Sequence, residues 1–251
     1  MKKKALIKKP NGQTIDATHN GRSGAKSIII FVHGFPKAQA QDNNFFEILA
    51  EKIPSYGASS LLFDYSSCNY ENGKTEGFSF ASAKEDLSAV YSWVKKMGYD
   101  HIGIIAEGLG APLVTSSSPE SCILGIFLWP AFDLKHVCEG HFQSSTKKEE
   151  LENQGWLEHD GVKIGSQLIK DLETTNLNEG LMKFTAPTII LYGELDDIFP
   201  SQHVEIAREH LMAQRLEITT FDGAEHGLKR SNDRKSCLLH ISQFIKRYVT
   251  S

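Results

Sequence analysis

The stretch His101-Ile-Gly-Ile-Ile-Ala-Glu-Gly-Leu-Gly-Ala-Pro-Leu-Val114 decides how the chain is read. Its β-branched run, Ile102 to Ile105, stops at small residues, and Leu109 to Val114 reads as the start of a helix. A strand, a sharp turn and a helix make the geometry of a nucleophile elbow, which strains its central residue and presents it at the top of a sheet. The turn crowds its neighbours, so small residues are needed two before and two after the centre. Ala106 and Gly110 meet that need and make residue 108 the centre. A serine is expected there, and the chain has Gly108. Glycine carries no oxygen, thiol or carboxylate, so the chain as written has no nucleophile at that position. Gly-x-Gly after a strand also occurs in phosphate loops and plain tight turns, so the rest of the chain must decide.

Working outward, the chain alternates strand and helix. Ser27 to Val32 is a continuous apolar run, as expected of a strand covered on both faces, and it ends at His33-Gly34-Phe35-Pro36. Before it, residues 4–9 and 13–18 flank Pro10-Asn11-Gly12 as a hairpin. Asn44 to Ile53 has helical spacing, with Asp42 or Asn43 available as a cap. Ser59 to Phe63 is a strand ending at Asp64-Tyr65, and Ser82-x-x-Glu85 reads as a capping box for a helix that Gly98 closes. Beyond the elbow come strands at Cys122–Trp129, Pro187–Tyr192 and Leu216–Phe221, and helices at Ser201–Met212 and Asp233–Val249. Residues 131–182 lack a strong strand and read as an inserted cap within one domain spanning residues 1–251. The expected fold class is therefore α/β, with a mostly parallel, doubly wound sheet and a small inserted cap.

Composition excludes some functions. A chain of 251 residues can bury a full core, and a net charge of −4 gives no global basic field for nucleic acid. No apolar run reaches the ~18–20 residues of a membrane span, and Ala5-Leu6-Ile7 after the basic start is too short for a signal-peptide core. The four cysteines show no paired spacing, which fits free thiols in a cytoplasmic protein. His136-x-Cys138-x-x-His141 lacks a fourth ligand, so no metal and no cofactor is expected.

Three strand ends carry groups capable of chemistry. Gly108 follows one. Gly193-Glu-Leu-Asp196-Asp197-Ile-Phe-Pro200 follows the second, and Gly223-Ala-Glu-His226-Gly227 the third. A weak nucleophile needs an imidazole base, and a carboxylate must orient that imidazole and stabilise its protonated form. With His33-Gly34-Phe35, Phe63-Asp64-Tyr65 and Ala106-Glu-Gly-Leu-Gly110, these motifs make the chain resemble the α/β-hydrolase superfamily over essentially its whole length. Within it, the chain is most similar to small bacterial carboxylesterases of the feruloyl or cinnamoyl esterase type.

That resemblance implies His226 as general base and Asp196 as its orienting acid, with Asp197 as the rival and a helix-capping role as the structural alternative. It implies an oxyanion hole from the backbone N–H groups of Phe35 and Leu109. Trp129, Phe132 and Trp156 are candidates to line an acyl pocket beneath the cap, or else to pack cap against core. Glu107 beside the elbow centre reads as structural. His19, His203, His210 and His240 read as surface residues. The implied activity is carboxylic ester hydrolysis through an acyl-enzyme, with thioester hydrolysis or acyl transfer as alternatives of the same machinery. The expected partner is a small ester or acyl substrate, and a homodimer is left open. Gly108 has three readings: an engineered replacement of serine, a natural pseudoenzyme that binds ligands, or chemistry supplied by another group. Retention of the acid, the histidine and the His-Gly-Phe turn favours the first.

Overall fold

A computed structural model describes residues 2–35, 44–68, 73–117 and 121–249. Among the described residues, eight strands form one sheet. They are β1 (Lys2–Lys8), β2 (Thr14–Asn20), β3 (Ser27–Val32), β4 (Ser59–Phe63), β5 (His101–Gly108) and β6 (Cys122–Pro130), followed after an insertion by β9 (Thr188–Gly193) and β10 (Leu216–Phe221). Their order in space is β1-β2-β4-β3-β5-β6-β9-β10. Along this spatial order every pairing from β4 to β10 is parallel, and the β1–β2 hairpin and the β2–β4 contact are antiparallel. β3 is buried at all six residues because helices cover both faces of a parallel sheet.

The chain leaves β3 for β4 on one side and returns to β5 on the other. That reversal creates a crevice at the carboxyl ends of β3 and β5, where ligands bind in open α/β sheets. Val32 pairs with Ala106, so the His33-Gly34 turn emerges directly beside the elbow.

Helices follow the strands: α1 (Phe45–Lys52), α2 (Phe80–Lys96), α3 (Gly110–Thr115), α8 (Gln202–His210) and α9 (Ser231–Tyr248). α2 starts earlier than the Ser82-x-x-Glu85 reading implies. Its capping box is Ser79 with Ser82: the Ser79 side chain accepts from Ser82 N, and Ser82 Oγ accepts from Ser79 N. A hydroxyl reaches back as a glutamate would, which moves the start by three residues. The suggested caps Asp42 and Asn43 lie outside the described residues.

The hairpin is fastened to this framework by a buried ion pair. Lys9 Nζ lies 2.6 Å from Asp86 Oδ1 on α2, and both side chains are shielded from solvent. The second oxygen of Asp86 accepts from Ser66 N, which pins the loop after β4.

Between β6 and β9 the chain forms α4 (Leu134–Phe142), α5 (Ser145–Gln154), a hairpin of β7 (Trp156–His159) and β8 (Val162–Gly165), α6 (Ser166–Thr174) and α7 (Asn178–Lys183). The hairpin corrects the expectation that this stretch has no clear strand. Asp160 and Gly161 both take positive φ, 51° and 78°, as a tight two-residue hairpin turn requires. Thr75 Oγ1 exchanges two hydrogen bonds with the backbone of Lys163, and Asp171 accepts from Phe80 N at the start of α2. Among the described residues, no helix is long and apolar enough to cross a membrane.

Candidate active site

Gly108 ends β5 with φ +49°, in the left-handed region that a side chain disfavours. The register of β5 against β6 slips between Glu107 and Gly108, and the Gly108 carbonyl accepts from Ala131 N at 3.0 Å. Two residues on, a Cβ at Gly110 would come within 2.4 Å of the Val32 carbonyl oxygen, which only glycine permits. The small-residue requirement of the elbow is thus met by contact with β3.

The His33-Gly34-Phe35 turn packs on this elbow. A Cβ on Gly34 would lie 3.2 Å from the Glu107 carbonyl oxygen. Tyr65 donates to the His33 carbonyl, and the Phe35 ring stacks on Phe78 with centroids 4.2 Å apart. These contacts hold the backbone of Phe35 on one side of Gly108, while Leu109 continues the chain on the other.

The acid and the histidine meet as their strand order predicts. His226, on the loop after β10, donates through Nδ1 to Asp196 at 2.9 Å from Oδ2 and 3.1 Å from Oδ1. Asp196 is buried and also accepts from Phe199 N at 2.8 Å and Ile198 N at 3.1 Å. Asp197 is exposed. Because a carboxylate only accepts, Nδ1 carries the proton and Nε2 is left as the basic nitrogen. The His226 side chain is 18% exposed, with Trp129 and Phe199 edge-on at 5.9 and 5.2 Å between centroids. Arg234 bonds the carbonyls of Gly227 and Leu228 and steadies the loop.

A cavity of about 180 Å³ gathers these groups: Gly34, Phe35, Gly108, Leu109, Trp129 and His226 all line it. Phe132 and Trp156 do not. Phe132 packs edge-on against Phe127 in the core, and Trp156 lies beneath the Lys163 ammonium, 4.4 Å from the ring centroid. Glu107 lines the cavity from the elbow. A larger open groove of about 840 Å³ between β1 and α2 contains none of the strand-end residues.

The sequence reading missed the far wall. His141 and Phe142 from α4, His159 and Asp160 from the β7–β8 hairpin, and Ile198 and Phe199 from the acid loop complete the lining. Lys147 Nζ donates to His159 Nδ1 at 3.1 Å and to the His141 carbonyl at 2.5 Å. Burial first, and then the Lys147 charge, hold His159 below the usual histidine range. His141 is also lowered by burial, against a bond to the Ile198 carbonyl. His203 corrects another expectation, since it is fully buried rather than on the surface. Its Nδ1 accepts from Asp133 N at 2.9 Å and its Nε2 meets His136 Nδ1 at 3.3 Å, which seals α4 against α8.

A parallel sheet switching direction beside an elbow, with an acid and a histidine at the next strand ends, defines an α/β-hydrolase fold. The sequence matches one family over residues 15–229, and the chain belongs to that family, the acyl transferases. Among solved structures it is similar to ferulic acid-bound Est1E from Butyrivibrio proteoclasticus, at TM-score 0.83 and 17% identity over 98% of this chain and 100% of that one. It is also similar to the Pyrococcus furiosus esterase Pf2001, at 0.72 and 17% over 100% and 93%. Mouse alpha/beta hydrolase domain-containing protein 10 aligns at 0.73 and 17% over 98% and 99%. No curated protein sequence matches the chain. The superfamily resemblance read from the motifs is borne out.

Proposed function

We propose that this chain binds a carboxylic ester or thioester and promotes attack on its carbonyl with the Asp196–His226 pair, in a site of serine-hydrolase design whose nucleophile position is held by Gly108. The observation that carries the reading is the 2.9 Å bond from His226 to buried Asp196, at the cavity that Gly108 also lines. In this reading the Phe35 and Leu109 amides form the oxyanion hole, where each donor is worth on the order of 2.7–4 kcal/mol of transition-state stabilisation. The volume of about 180 Å³ falls below the ~300–1,000 Å³ of drug-sized pockets, which supports a short acyl group. The setting in this reading is the cytoplasm, where thiols stay reduced.

Without a seryl oxygen, His226 Nε2 takes a proton from water as that water attacks, and later returns it to the leaving group. The oxyanion hole and binding alone retain ~10³–10⁴-fold over water in triad enzymes stripped of a member, so hydrolysis is slow. With serine at 108 the same groups would support an acyl-enzyme. The test compares Gly108→Ser with Gly108→Ser/His226→Ala on short p-nitrophenyl esters. Activity gained with serine and lost with alanine supports the reading. An inert Gly108→Ser chain across esters and thioesters overturns it.

A second reading, a natural pseudoenzyme that binds ligands without turning them over, is favoured by one contact. The Phe199 ring edge would lie 3.3 Å from a Cβ on residue 108, a contact that suits glycine better than serine.

A further inference from the structure

We propose that the open edge of β1 is a docking site for an extended acidic segment of a partner protein, which adds to the sheet as a further strand beside α2.

β1 ends the sheet on its side and, among the described residues, pairs with β2 alone. The direction of its backbone groups follows from the ladder. Leu6 lies opposite Asp16, and the Asp16 carbonyl is used on the far side of β2, where it accepts from Asp64 N. Lys9, of the other parity, donates its N–H to the Gln13 carbonyl within the hairpin. The two kinds of position alternate along an antiparallel pair. Odd residues of β1 therefore bond to β2, while Lys4, Leu6 and Lys8 turn their N–H and C=O groups out to the open edge.

The groove of about 840 Å³ follows this edge. One wall is the consecutive run Leu6 to Asn11, and the other is Ala89, Ser92, Trp93 and Lys96 of α2. Consecutive residues in one wall present backbone, since a strand face would show alternate ones. Ile7 is buried and Lys9 reaches Asp86 on α2, so odd side chains turn towards that helix and Lys4, Leu6 and Lys8 lie on the opposite face. Leu6 is 64% exposed, an apolar side chain between two lysines. An added strand thus meets the Lys4, Leu6 and Lys8 row on one face and half-buried Trp93 on the other.

Charge selects the occupant. Lys2 is paired with Glu51 and Lys9 with Asp86, whereas Lys4, Lys8 and Lys96 make no ion pair among the described residues. Glu85, the acidic residue of the lining, lies 3.5 Å from Lys9. A second copy of β1 would set lysine against lysine, and like charges directly opposite one another destabilise a strand pair. A lipid surface offers charge alone and leaves the outward N–H and C=O groups unpaired. An acidic strand answers both needs: its backbone completes the ladder, and its side chains supply the pattern acid-x-apolar-x-acid against the lysine–leucine–lysine row.

The test titrates the native chain into fluorescein-labelled Glu-Glu-Val-Leu-Val-Glu-Glu and follows fluorescence anisotropy. Saturable binding is expected. Lys4→Glu/Lys8→Glu should weaken it at least about tenfold with the melting temperature unchanged, because both positions are exposed. Ser92→Trp, at an exposed position of α2, should abolish it by filling the groove. Two peptides N-methylated on alternate residues separate a strand from a contact of charges. The one methylated on the residues that face β1 should fail, and the other should bind as the parent does. No saturation up to about 1 mM, equal binding of the two methylated peptides, or unchanged affinity in either variant overturns the proposal. So does a chain that ignores the peptide but sediments with phosphatidylglycerol vesicles, or one that dimerises through this edge and loses the dimer in Ser92→Trp.

Discussion

The ring edge of Phe199 lies where it would meet a side chain on Gly108, with Cε2 3.3 Å from the position of a Cβ. The same residue donates its backbone N–H to Asp196, so the ring that crowds the elbow belongs to the loop that carries the acid. A serine placed at 108 must displace that ring by a few tenths of an ångström, at a site already at positive φ.

Serine activity should therefore rise further when the ring is trimmed. Gly108→Ser/Phe199→Leu is expected to exceed Gly108→Ser in kcat/KM on p-nitrophenyl acetate by about three- to tenfold, since overpacking of this kind costs about 1 kcal/mol or more. Equal rates would mean that the ring moves freely.

The carboxylate acts through the tautomer it enforces. In the Gly108→Ser background, Asp196→Asn keeps an oxygen for the Phe199 N–H but presents an amide donor to His226 Nδ1. The proton shifts to Nε2, and kcat should fall by about 10³–10⁴ with little change in the melting temperature. A large drop in melting temperature instead would assign Asp196 a structural role.

Acid should loosen the joint between α4 and α8. Burial pushes His203 down to about 4 from an ordinary 6.5, and Nδ1 must be unprotonated to accept from Asp133 N. Between pH 6.5 and 4 the unfolded chain binds a proton that the folded chain does not. Stability is therefore full above pH 6.5 and falls as pH drops, by about 3 kcal/mol at pH 4. Urea midpoints at pH 7, 5.5 and 4.5 should show a shallower slope for His203→Gln than for the native chain, and identical slopes would remove His203 as the cause.

The buried Lys9–Asp86 pair makes a prediction about stability alone. Lys9→Met leaves Asp86 charged and unpartnered by a cation in the interior, a change that costs about 3–5 kcal/mol in comparable buried pairs. Lys9→Met/Asp86→Leu should recover most of that loss, apart from the bonds Asp86 makes to Ser66. Denaturant melts of the two variants measure both numbers, and additive losses would show that the ion pair is not coupled.

The elbow, the sheet and the acid–histidine pair were legible because each is written in contiguous residues. Steric demand selects Ala106 and Gly110, and the order of strand ends brings Asp196 and His226 together. The far wall was not, because it is assembled from three separated segments at residues 141–142, 159–160 and 198–199. Asp160-Gly161 did carry a hairpin signal, but its strands of four residues are too short to stand out among polar neighbours. His203 looked like a surface residue because nothing in its helix reveals that the Asp133 backbone waits opposite it. Phe132 and Trp156 were open to two readings because aromatic character does not tell a cavity wall from packing: Phe132 lies in the core, and Trp156, partly buried, stacks beneath Lys163.

The positive φ of Gly108 bears on how such a chain changes over generations. Glycine rests in that conformation at ease, whereas a serine there holds strain of order 1–3 kcal/mol that the surrounding structure must over-determine. A serine at 108 would meet both that strain and the crowded Phe199 ring, whereas glycine meets neither. The identity of residue 108 thus sets a reserve: glycine leaves the chain free energy with which to tolerate substitutions elsewhere, and a serine there would draw on it.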